Sequence, residues 1–153
     1  MTSQTTPRSY TIKEAAALTG LPASTLRYYE TIGVISPISR GASSKHRVYD
    51  DEDLDQLMWV ACLAATGLSV SEMRQYVANG KLGAAAAREQ IELLTVQQDR
   101  LAQEAEHLAL RQRYVRLKID YWHAVDAGDP ERAELLAGEA RALADALKHT
   151  RKR

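Results

Sequence analysis

Residues 21–49 read LPASTLRYYETIGVISPISRGASSKHRVY, and this stretch decides the fold. Pro22 sits near the first turn of a short helical pattern that carries Ser24, Thr25, Arg27, Tyr28 and Tyr29 and stops at Gly33. Ile35-Ser36-Pro37 then leads into a loop with Arg40, Lys45 and Arg47. Gly41-Ala42-Ser43-Ser44 makes a turn between two short extended pieces, near 38–40 and 47–49. Upstream, residues 12–18 read as another short helix, closed by Gly20. Helix, tight turn, helix and basic hairpin outline a winged helix-turn-helix. In that arrangement a helix can enter a major groove while the hairpin arm rests on the adjacent backbone.

Local signals extend the pattern in both directions. Thr11 and Glu14 have the spacing of a capping box for the first helix. On the second helix Leu26 and Tyr29 share the inward face, leaving Ser24, Thr25, Arg27 and Tyr28 outward. Asp50 caps a third helix over about 51–66, with further acids on its first turn. Its run from Leu57 to Ala65 is apolar nearly all round, which predicts deep burial. Ser69 and Glu72 form another capping box, opening a fourth helix that runs to about Ala78 before Asn79-Gly80 breaks the pattern.

Residues 84–127 contain neither Gly nor Pro and predict one long helix. Leu94, Leu101, Leu108, Val115 and Trp122 recur every seven residues, with Ile91, Gln98, Ala105, Gln112 and Ile119 at the other seam position. So narrow a stripe needs a partner. No equally long second helix exists in the chain, so the economical partner is another copy, with packing on the last helix as the alternative. Asp129 and Pro130 restart a helix that presents Leu136, Ala140, Leu143 and Leu147 on one face. The expected fold is mainly α. A polar tail (1–9) precedes a winged helix-turn-helix domain (10–80), followed by a coiled-coil dimerisation helix (84–127), a short C-terminal helix (129–149) and a basic tail (150–153).

Composition narrows the function. The 153 residues are 45% hydrophobic, enough for a packed core, and carry 20 basic and 20 acidic side chains. The overall charge is silent, but its distribution is not. Between Arg8 and Arg47 six bases face only Glu14 and Glu30, a local +4, before the acids of 50–55 cancel it. No apolar run reaches membrane-spanning length, and the first residues have no signal-like core. Cys62 is the single cysteine, so no intrachain disulfide can form and a cytoplasmic location is the default. No nucleophile–base set, phosphate loop or metal-ligand cluster is present in the pattern. Neither an enzyme nor a cofactor is expected.

The segments Tyr10-Thr11-Ile12-Lys13-Glu14-Ala15, Thr25-Leu26-Arg27-Tyr28-Tyr29-Glu30-Thr31-Ile32-Gly33 and Arg47-Val48-Tyr49-Asp50, with the acidic helix start after them, resemble the MerR family of bacterial transcription regulators. The resemblance spans residues 10–80 closely and reaches about Trp122 by architecture. It implies a homodimer on double-stranded promoter DNA, bound at a pseudo-palindromic element, that acts on RNA polymerase indirectly by distorting the promoter spacer. It also implies contacts to DNA from Thr11, Ser24, Thr25, Arg27, Tyr28 and Tyr29 and from the wing residues Arg40, Lys45 and Arg47. Tyr29 has a core reading beside this one. Ile91, Leu94, Leu101, Leu108, Val115, Ile119 and Trp122 would form the dimer seam.

The residues bear on three classes of signal. Metal-sensing relatives need at least two thiolates, and this chain has one cysteine. About 25 residues follow Gly128, too few to enclose a ligand pocket alone. Cys62, in Val60-Ala61-Cys62-Leu63, resembles the stress-response branch of the family that senses reactive aldehydes and other electrophiles through a cysteine on this helix. The competing reading of Cys62 is a buried small hydrophobe. Two other readings stay open: an interaction adaptor that needs a partner, and a small-molecule-binding regulator that does not use Cys62.

Overall fold

The computed structural model describes residues 7–150, and the backbone alone at Thr150. These residues divide into two compact units, with the boundary between Gln97 and Gln98.

In the first unit, a strand β1 (Ser9–Tyr10) leads into α1 (Ile12–Thr19). Thr11 accepts the Glu14 backbone N–H at 3.2 Å and donates its own N–H to the Glu14 carboxylate at 3.2 Å. Gly20, at φ +75°, closes the helix by donating to the Ala16 carbonyl, a conformation glycine adopts without strain. Helix α2 (Ala23–Thr31) starts after Pro22 with no side-chain cap, and it buries Leu26 and Tyr29.

The wing is β2 (Ser39–Arg40) paired antiparallel with β3 (Arg47–Asp50), in register Ser39 to Val48 and Arg40 to Arg47. β1 adds to the other side of β3, Ser9 opposite Asp50 and Tyr10 opposite Tyr49. The polar tail expected for 1–9 therefore gives way to a strand at Ser9, while 1–6 lie outside the described residues. A two-residue strand is created by its neighbour's free edge, and its own sequence carries no such signal.

Helix α3 (Asp51–Ala65) opens with a reciprocal cap between Asp50 and Asp53. Its expected deep burial is corrected. Leu57 and Val60 are fully buried, but Met58 and Trp59 are 47% and 38% exposed and Cys62 is exposed too. The domain core reaches only one stripe of the helix, so an all-round apolar run does not become all-round burial. Trp59 instead lies 5.7 Å from the Tyr76 ring.

Helix α4 (Val70–Leu82) opens with the Ser69–Glu72 box and runs straight through Asn79-Gly80. Asn79 is held inside the helix by side-chain hydrogen bonds, accepting from Gln75 and donating to Gln90. The break falls at Gly83, φ +58°, which begins a single 3-10 turn (Gly83–Ala86) before α5 (Ala87–Asp126). The core of this unit joins Leu26, Val34, Tyr49, Leu57, Val60 and Met73 with their neighbours.

In the second unit, α5 turns at Gly128 into α6 (Pro130–Thr150), whose first turn Asp129 caps through the Arg132 N–H. Leu117 and Ala124 of α5 pack on Ala133, Leu136 and Ala140 of α6, with Tyr114, Tyr121 and Leu143 at the margin. This contact uses a different face of α5 from the heptad stripe. Leu101, Leu108, Val115, Ile119 and Trp122 remain 40–63% exposed, so within the chain the stripe is not spent on α6. Of the expected basic tail, 151–153 lie outside the described residues.

Candidate nucleic-acid interface

The turn of the wing, the start of α1 and the outer face of α2 enclose a cleft of about 230 Å³. Thr11, Ile12, Arg27, Arg40, Lys45, His46 and Arg47 line it. Five of the nine residues expected to meet DNA are thereby gathered in one place, although they come from three separate stretches of chain. The lining holds no carboxylate. Arg27 and Lys45 are exposed, and neither forms an ion pair among the described residues.

Glu30 explains how the wing is held against α2. Its Oε1 accepts the Arg47 Nε–H at 2.7 Å, its Oε2 accepts the Ile38 backbone N–H at 2.9 Å, and Arg40 Nη2 lies 3.7 Å away. Burial would raise its pKa. The Ile38 and Arg47 hydrogen bonds and the charges of Arg47 and Arg40 outweigh burial and hold the carboxyl below its ordinary value. Arg47, only 19% exposed along its side chain, thus anchors the wing as well as lining the cleft. At the tip, Gly41 and His46 close the hairpin through Gly41 N–H to His46 O at 2.9 Å, and Lys45 takes a left-handed turn at φ +57°.

The other expected contacts lie outside the cleft lining. Ser24 is exposed, Thr25 is half-buried, and Tyr28 stands 52% exposed on the outer side of α2. Tyr29 is in the core at 7%, its ring 6.4 Å from that of Tyr28. Two lining residues, Ile12 and His46, were not singled out by the sequence. The signal for His46 was its place between Lys45 and Arg47 at the hairpin tip.

What a cation-lined cleft beside an exposed helix can do chemically is accept phosphate oxygens while the helix faces base edges. Residues 10–80 match the family model described as MerR HTH family regulatory protein. A Haemophilus influenzae protein named for heavy-metal-dependent transcriptional regulation is 34% identical over 113 residues, which cover 73% of this chain and 84% of that protein. The chain belongs to the MerR family.

This MerR-family chain is also 40% identical over 65 residues to the transcriptional regulator AdhR of Bacillus subtilis. That match covers 42% of the chain and 46% of AdhR, and the chain spans about half the length of the first curated relatives it matches. Among solved structures, a MerR family regulator from Listeria monocytogenes superposes with a TM-score of 0.67 at 29% identity, over 85% of this chain and 98% of that one. HiNmlR, a MerR family regulator lacking the sensor domain and solved bound to promoter DNA, has a TM-score of 0.65 at 23% identity, over 84% and 96% of the two chains, a likeness of fold.

The MerR-type chain has a single cysteine, and no group of three or more His, Cys, Asp or Glu among the described residues is placed to hold a metal ion. No described helix is long and apolar enough to cross a membrane.

Proposed function

We propose that this MerR-type protein regulates transcription as a homodimer that binds a pseudo-palindromic promoter element and distorts its spacer, acting on RNA polymerase through the shape of the DNA. The cleft carries this reading: four cationic side chains and a hydroxyl converge beside the outer face of α2, and while Glu30 holds Arg47 and lies near Arg40, Arg27 and Lys45 form no ion pair among the described residues. Arg27 reads or grips the major groove, while Arg40, Lys45 and Arg47 hold the flanking backbone. Ser24, Thr25 and Tyr28 extend the contact along α2. The exposed seam from Ile91 to Trp122 supports the twofold partner, since a second copy would cover the same side chains.

The signal proposed is a reactive electrophile at Cys62. Its support is the exposure of the sulfur-bearing residue, which allows access that a buried thiol would lack.

A footprint of the purified protein on its own upstream region tests both parts. A palindromic footprint lost with Arg27→Ala and kept with Cys62→Ser is the expected result. Loss of the electrophile response in Cys62→Ser would complete it, whereas an unchanged response would give the signal to another site. Absence of a footprint from the protein alone would replace this reading with the partner-dependent adaptor.

A further inference from the structure

Two polar residues are buried among the described residues, Asn79 and Gln97, at 6% and 5% exposure. Asn79 lies in α4, and Gln97 lies about three turns into α5. Asn79 accepts from Gln75 Nε2 at 2.8 Å through its Oδ1 and donates from Nδ2 to Gln90 Oε1 at 3.1 Å. Gln90 returns its Nε2–H to the Tyr76 carbonyl at 2.9 Å. About two turns further along α5, Gln97 donates from Nε2 to the Thr66 carbonyl at 2.6 Å. That carbonyl lies at the C-terminal end of α3, where helix geometry leaves carbonyls without partners of their own.

We propose that Asn79, Gln90 and Gln97 are positioning residues that latch the first three turns of α5 onto α3 and α4, and so make the regulator selective for the spacing between its two half-sites. The inference rests on the dimeric DNA-binding reading above.

The chemistry favours an angle-setting device over plain adhesion. Apolar packing at this junction is thin: Leu93 is half-buried and Ala86 buried, while Ile91 and Leu94 face outward. Apolar contact tolerates sliding, whereas an amide held at both ends fixes distance and direction together. The covalent connection cannot set the angle, because it passes through Gly83, whose backbone is the least restrained of any residue type. Gly67 supports the fit from the other side. A Cβ there would meet Gln97 Nε2 at 3.4 Å, so the glycine leaves the space beside the Thr66 carbonyl that this amide uses.

The seam begins at Ile91, inside the latched turns. In a twofold dimer, half-site separation is a geometric property of the two reading domains and whatever joins them. Any looseness at the root of α5 therefore becomes tolerance in spacing.

The test uses the full chain and duplexes bearing its footprinted element, with the spacer unchanged or altered by one or two base pairs. The parent protein is compared with Asn79→Leu/Gln90→Met, which replaces both partners so that neither is stranded, and with Gln97→Met. The expected result is that the affinity ratio between the natural and altered spacers falls at least about fivefold in both variants. An unchanged ratio in the folded variants overturns the latch and leaves the DNA-binding reading standing. Failure of the parent to bind any duplex overturns that reading and the spacing inference together.

If the double variant does not fold, Gln90→Asn, one methylene shorter, takes its place. A spin-label distance between exposed positions Arg74 and Glu92, measured in a Cys62→Ser background, is then the second readout. A narrow distribution in the parent that broadens in Gln90→Asn supports the latch. A distribution that does not change overturns it.

Discussion

Glu30 shows how one side chain organises an interface without facing it. Its carboxylate takes a hydrogen bond from the strand side of the wing and another from Arg47, and it lies within reach of Arg40. Because its folded pKa lies below the ordinary carboxylate value, its stabilisation is full above that value. It is lost as pH falls from there through the lowered one. Glu30→Gln keeps the shape and removes the charge. It should cost about 1–2 kcal/mol near neutral pH, and it should flatten the acid limb of the stability profile. Urea melts of the two proteins across the acid range check this. Parallel profiles would mean that Glu30 does not hold the wing.

Among the elements, the capping boxes were legible because each is written in four consecutive residues, Thr11 to Glu14 and Ser69 to Glu72. The heptad stripe was legible for a similar reason: its period is carried by one helix. What stayed hidden depends on pairs far apart in the chain. β1 exists because β3 offers an edge, and Asn79 stays helical because Gln90 reaches back to it. Nothing in Leu57 to Ala65 says which stripe the core will cover. The cleft needed Thr11, Arg27 and the wing folded together, so its members could be guessed while its closure, and the place of His46 and Ile12 in it, could not. The α4–α5 junction yields a paired prediction. Gly80 lies within a helix with open space where a side chain would go, and Gly80→Ala should stabilise by about 0.5–1 kcal/mol. Gly83 has equal space but φ +58°, and Gly83→Ala should destabilise by about 1–3 kcal/mol. Thermal unfolding of the two variants should move in opposite directions, and a shared direction would remove the backbone explanation.

For the molecule as a whole, the exposed seam is the apolar surface that the proposed homodimer would bury. A homodimer predicts a melting temperature that rises with protein concentration, and Leu101→Asp with Leu108→Asp should abolish that dependence and yield a monomer by sedimentation. A melting temperature independent of concentration in the parent would point to a monomer.

The root of α5 is held by neutral amides, whereas the cleft beside α2 is lined by cations. Dissolved ions screen the second and have little to act on in the first. On the function proposed, ionic strength becomes a control that separates grip from geometry: a concentrated electrolyte would lift the protein from nucleic acid and leave the amide latch in place.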